Sequence, residues 1–137
     1  MAGATATSAW SAVEPLAARA LGHDFTDVRL LGRFASERWW APAGVLIHAA
    51  NGAVFGAAFA LAGARGPKAG LAWAGAEALL TWPGMAILDR IHPDRRSGRW
   101  PRPLLTDPKV MAQEAAMHAL FGLVLGLCAP GGVVDEL

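Results

Sequence analysis

The sequence predicts an all-α integral membrane protein: a four-helix bundle made of two parallel two-helix repeats, with both termini extracytoplasmic. Three observations carry this expectation. Four apolar runs each approach the ~20 residues needed to cross a hydrocarbon core. The basic residues collect in two of the segments between those runs. A pattern of Trp, Glu, His and Gly also occurs twice: Trp10-x3-Glu14 is followed by His48-x3-Gly52-x3-Gly56, and Trp73-x3-Glu77 by His118-x3-Gly122-x3-Gly126.

The predicted spans are residues 2–21, 39–64, 69–88 and 110–129 of a single domain, 1–137. The first is interrupted by Glu14-Pro15 and Arg19. The second is the clearest, with no charged residue between Arg38 and Arg65. A soluble helical bundle would show a polar stripe there. Pro83 predicts a kink near the end of the third, and Pro130-Gly131-Gly132 ends the fourth. Residues 1–9 carry no basic group, so no cleavable signal peptide is expected.

Orientation follows from charge. Arg19, Arg29, Arg33 and Arg38 lie at or in the segment 22–38, and Arg90, Arg95, Arg96, Arg99, Arg102 and Lys109 lie in 89–109. The short turn between spans two and three holds only Arg65 and Lys68. The positive-inside rule makes both long loops cytoplasmic. A bacterial cytoplasmic (inner) membrane is the expected location, with Trp39, Trp40 and Trp100 in an interfacial aromatic belt.

Composition narrows the function classes. Apolar residues make up 54% of the 137 and charged residues 17%, against roughly 45–50% and 25% in soluble domains. The excess is mostly Ala and Gly, which holds the mean hydropathy at +0.33. A net charge of +1, with basic residues in loops, argues against nucleic acid as a partner. The single cysteine, Cys128, excludes an internal disulfide and a cysteine zinc cluster. Its apolar neighbours predict a buried, inert thiol. No phosphate loop, nucleophile elbow or zinc-hydrolase motif is present, so an enzymatic role is not indicated.

The residues that ask for an explanation are the polar ones inside the spans. Ionisable groups in lipid are costly and usually face a partner or the bundle interior. Glu14, His48, Asn51, Glu77, Glu114 and His118 form such a set. Counted from the cytoplasmic ends at about 1.5 Å per residue, the acids and histidines fall in a band a few turns thick. Glu114 and His118 share one helix face at i and i+4. The structural alternative is interhelical hydrogen bonding, worth about 1 kcal/mol per bond. Gly52/Gly56 and Gly122/Gly126 read first as close-packing helix faces.

The stretch from His48 through Asn51, Gly52 and Phe55 to Gly56, the segment from Glu77 to Pro83 with Trp82, and His118-x3-Gly122 resemble a loosely defined group of bacterial inner-membrane proteins. These are small four-helix proteins, loosely YagU-like and associated with acid resistance. The resemblance covers about residues 8–126 through short motifs. It implies a multipass inner-membrane protein and lends no established chemistry.

Three functions are consistent with this set. The first is a proton or small-solute pathway through Glu14, His48, Glu77 and His118, since histidine titrates near neutrality. The second is an accessory subunit of a larger membrane complex, or a homo-oligomer, with the polar groups as interhelical glue. The third is a cofactor site: His48 and His118 as axial ligands of haem b, or a transition metal held by His48, His118, Glu77 and Glu14 in the manner of carboxylate-bridged bundles. The lipid bilayer is the surrounding partner, and anionic headgroups are expected at the basic loops.

Overall fold

The computed structural model describes residues 1–129, and these contain helices and turns but no strand. The helices are α1 (Ala2–Leu21), α2 (Asp27–Ala35), α3 (Trp40–Leu61), α4 (Gly66–Thr81), α5 (Met85–Ile91), α6 (Pro93–Arg96) and α7 (Pro108–Cys128). A 3₁₀ turn at Trp82–Gly84 joins α4 to α5, and another at Leu104–Thr106 precedes α7. The kink expected at Pro83 takes the form of this turn: proline withholds a backbone N–H from the helical ladder, and the helix resumes at Met85. The Pro130-Gly131-Gly132 stop lies outside the described residues.

Trp40–Leu61, Gly66–Ile91 and Pro108–Cys128 are each long and apolar enough to cross a membrane. α1 is of comparable length but less apolar. Leu46, Val54, Leu61, Leu79, Leu80 and Leu127 point outward and are each more than half exposed, which suits a lipid environment rather than water.

The long helices meet in the order α3, α1, α7, α4, with α2 laid against α3. Glycines set the closest approaches. A Cβ on Gly3 would overlap the backbone of Gly52 and Gly56, joining α1 to α3. A Cβ on Gly70 or on Gly66's neighbour in space, Gly126, would overlap the facing backbone, joining α4 to α7 through Gly122 and Gly126. These small-residue faces pack against one another within the chain. α3 and α4 are consecutive, yet their backbones stay apart. Phe55 and Phe59 bridge them by edge-on contacts with Trp73.

Two apolar cores result. One contains Ala6, Trp10, Phe59, Ala74, Met117, Phe121 and Leu125. The other, at the end where the longer connections lie, contains Phe25, Leu30, Met85, Trp100, Leu104 and Val110. The second core means that the expected basic loops are folded structure. In segment 22–38, Thr26 caps α2 by accepting from the Arg29 N–H at 3.1 Å, and Gly32 and Gly44 bring α2 against α3. In segment 89–109, Asp89 accepts from the Leu104 N–H at 2.7 Å and pairs with Arg95 at 2.9 Å.

A clasp locks these two segments together. Asp94, 2% exposed, accepts from both Arg29 and Arg33 of α2. His92 is fully buried, stacked on Trp100 with ring centroids 4.5 Å apart. Its Nδ1 accepts from the Asp94 N–H at 3.1 Å, so Nε2 carries the hydrogen and donates to the Leu30 carbonyl at 3.1 Å. Trp100 is therefore a core residue and not part of an interfacial belt; its Nε1–H is satisfied by Asp24 at 3.0 Å. Trp39 does remain exposed, and Trp40 lies under the Arg29 guanidinium. Cys128, expected to be buried, is exposed at the end of α7. Apolar neighbours in sequence do not imply burial when the outer face of the helix is itself apolar.

Candidate functional site

Where the two cores meet, polar side chains from five helices converge. α1 supplies Ser11 and Glu14, α2 Asp27, α3 His48, α4 Glu77, and α7 Gln113, Glu114 and His118. α1 remains helical through Pro15 and turns Glu14 inward, fully buried. After α1 ends at Gly22 in the left-handed conformation (φ 78°), the chain folds back and inserts Phe25 beneath the helices. This brings the start of α2 level with Glu14. The Asp27 N–H donates to Glu14 Oε1 at 2.8 Å. The Gln113 amide holds the re-entrant turn from the other side, donating to the Phe25 carbonyl at 3.2 Å and to Glu14 Oε1 at 3.4 Å.

Three carboxylates result from this insertion. One oxygen each of Glu14, Asp27 and Glu114 lie within 4.8 Å of one another. Glu14 Oε2 and Glu114 Oε1 are buried and have no hydrogen-bond partner. Among the described residues no Lys or Arg pairs with any of the three, and the neighbouring groups able to carry a positive charge are His48, whose Nε2 lies 3.8 Å from Asp27 Oδ2, and His118. Burial pushes the Asp27 carboxyl up to about 6, with His118 opposing the rise and Glu77 adding to it.

A second pair lies alongside. His118 Nδ1 is 2.7 Å from the Glu114 carbonyl, and Nε2 is 2.7 Å from Glu77 Oε2. A carbonyl can only accept, so Nδ1 carries its hydrogen towards it. Nε2 is then either a donor to a Glu77 carboxylate or the acceptor of a proton that Glu77 holds. In both cases one proton lies between Glu77 and His118. The Glu77 side chain is a third exposed, so this pair faces a cleft of about 680 Å³. One wall of the cleft is α3 with Asn51, Val54 and Phe55; the other is α4 and α5 with Glu77, Thr81 and Ile87. Asp27, His48, Glu114 and His118 also line it.

Of the groups singled out from sequence, Glu14, His48, Glu77, Glu114 and His118 meet at this site. Glu114 contributes its carbonyl to His118 and its carboxyl to Glu14 and Asp27. Asn51 lies exposed on the cleft wall, and the polar partner of His48 is Ser11, whose Oγ is 3.1 Å from His48 Nδ1. Sequence reasoning missed Asp27, Ser11 and Gln113. Gln113, like Asn51 an amide inside a predicted span, was a readable signal. Asp27 was not: after Thr26 it reads simply as an acidic first turn favourable to a helix N-terminus.

The haem arrangement does not fit. Trp10 stands between the two histidines, its ring centroid 5.4 Å from that of His48 and 4.7 Å from that of His118. The indole fills the space that a macrocycle would need, and both ring nitrogens of His118 are already engaged. Compared with known proteins, the chain matches no family model, no curated protein and no solved structure.

Proposed function

We propose that this chain is a multipass protein of the bacterial inner membrane, a four-helix bundle with both termini outside, whose central site carries protons. The observation behind this reading is the Glu77–His118 hydrogen bond, which holds one transferable proton beside three converging carboxyls on the wall of an open cleft. A carboxyl and an imidazole sharing a proton can pass it in either direction with little rearrangement, and histidine is suited to do so near neutrality. Glu77 is the group that meets the cleft; Glu114, Asp27 and Glu14 carry the path inward towards α1. His48 and Ser11 complete it on the α3 side. The repeated Trp-x3-Glu and His-x3-Gly-x3-Gly patterns favour an ancestral two-helix unit. The resemblance to acid-resistance-associated proteins supplies the physiological setting.

The loop end supplies a lipid contact in the same reading. A pocket of about 720 Å³ is lined by Arg19, Arg99, Arg102 and Lys109 against Asp24 and Asp107, a net-positive set suited to the phosphate of an anionic headgroup.

The test is proton flux into liposomes containing the purified protein, followed with an internal pH dye under an imposed potential. Glu77→Gln and His118→Ala are expected to abolish the flux while the protein remains monodisperse and helical. Flux unchanged in both variants removes the reading.

A further inference from the structure

We infer that Glu14, Asp27, Glu114 and His48 form a binding site for one divalent transition-metal ion. The inference concerns the same site as the proposed proton path and rests on that reading only for its location.

The geometry comes first. An ion with bonds of roughly 2.0–2.4 Å can join ligand atoms up to about 4.8 Å apart. The oxygens of Glu14, Asp27 and Glu114 satisfy this limit pairwise; His48 Nε2 lies outside that triad, 3.8 Å from Asp27 Oδ2, and joins the set by swinging in past Asp27. Each ligand arrives from a different helix, so the site exists only in the folded chain.

Burial and hydrogen bonding come second. Glu14 and Glu114 are 0% and 4% exposed, yet Oε2 of one and Oε1 of the other lack a hydrogen bond of normal geometry, with the Trp10 N–H and the Gln113 amide oxygen also unpaired beside them. Buried polar atoms in native proteins are ordinarily satisfied, and those that are not call for an unseen water or ion. Three acids gathered without a lysine or arginine need compensation, which either protons or a cation can supply. The remaining oxygen of Glu14 is already oriented by the Asp27 N–H and Gln113, as the outer support of a metal ligand would be. Ser11 does the same for His48: with Nε2 turned to the metal, Nδ1–H donates to Ser11 Oγ.

Ligand chemistry selects the ion. Three carboxylates alone would suit Mg²⁺ or Ca²⁺, whereas an imidazole nitrogen shifts the preference towards Mn²⁺, Fe²⁺ or Zn²⁺. The Glu77–His118 pair is not part of the ligand set, because His118 is saturated by Glu114 and Glu77.

The experiment uses the full chain in detergent, stripped with chelator and titrated with Mn²⁺, Fe²⁺ or Zn²⁺, with bound metal measured by mass spectrometry. About one ion per chain is expected. Glu114→Gln and Asp27→Asn, which preserve shape, should each abolish stoichiometric binding; Ser11→Ala should weaken it roughly ten- to a hundred-fold. Asn51→Ala, on the cleft wall, should leave it unchanged. Thermal unfolding of every variant without metal separates lost ligation from lost fold, and Ser11→Ala serves where an acid variant does not fold. A folded wild-type chain that binds none of the three ions at millimolar concentration overturns the inference. So does binding that survives in Glu114→Gln, Asp27→Asn and Ser11→Ala. Flux measured under chelator separates the two proposals: flux without metal binding defeats only this one, and metal binding without flux defeats only the proton path.

Discussion

The pair α1–α3 and the pair α4–α7 are built from the same parts and end in different chemistry. In each, glycines let two backbones touch: Gly3 with Gly52 and Gly56, Gly70 with Gly122. In each, a Trp-x3-Glu sits on the first helix and a His one turn before the glycine face on the second. In α4–α7 the Glu and His bond directly, Glu77 to His118 at 2.7 Å. In α1–α3 they do not. Glu14 accepts from the Asp27 backbone and His48 meets Ser11, because the re-entrant turn and α2 have entered on that side. The difference teaches that helix packing alone places a Glu near a His, and that a third element decides whether they pair or take other partners.

The largest effect expected concerns what the two pairs share. Gly122→Leu and Gly52→Leu should each disrupt helix approach, at a cost of about 3 kcal/mol or more, since overpacking alone costs roughly 1–3 kcal/mol and here the obstacle is backbone or a buried side chain. Gly75→Leu, where an added Cβ meets nothing within 4 Å, should leave the thermal midpoint unchanged. If Gly75→Leu is as damaging as the other two, close helix approach is not what unites the pairs.

A smaller effect should come from the clasp that holds α2 in place and so makes the pairs unequal. Asp94→Asn leaves Arg29 and Arg33 without their shared acid. Both guanidiniums keep some exposure, so the loss should be about 2 kcal/mol, below the 3–5 typical of a fully buried pair. Denaturant unfolding measures it, and an unchanged midpoint would free α2 from dependence on the clasp.

The smallest effect is one of pH. Burial lowers the pKa of His92 below its ordinary 6.5, opposed by the hydrogen bond to Leu30 and by Asp94. The folded state therefore resists a proton that the unfolded chain accepts. Stability from this group is complete above about 6.5 and falls as pH drops towards the lowered folded value. For Asp94 burial opposes ionisation, but Arg29, Arg33 and His92 outweigh it and hold the carboxyl below 3.8. Its contribution persists until pH falls beneath that ordinary value and is lost through the lower folded one. His92 should thus pull thermal midpoints down below about pH 6.5, against Asp27, whose raised pKa acts in the opposite sense, so that His92→Gln declines less steeply than the natural chain. A decline beginning only near pH 4 would remove His92 as its source.

Much of this was legible in the sequence, and the parts that were not share a cause. Three of the apolar spans, the interruption at Pro83, the packing glycines and five of the converging polar residues could be read because helix periodicity and hydropathy are local properties. Asp27 could not, since nothing in Thr26-Asp27-Val28-Arg29 distinguishes a cap in solvent from one driven back among helices. Arg29 and Arg33 read as a topology signal, yet they pair with the buried Asp94 beside the second core. Cys128 erred the other way: an apolar outer surface removes the usual link between hydrophobicity and burial.

By itself, the sequence determined where helices form, which faces are small enough to meet, and that ionisable groups lie along apolar segments. Each follows from the preferences of residues close together in the chain. The tertiary structure decided which of those groups share a proton and which gather unpaired. Such pairings depend on angstrom-scale distances between helices remote in sequence, and here on one re-entrant turn that no local pattern specifies.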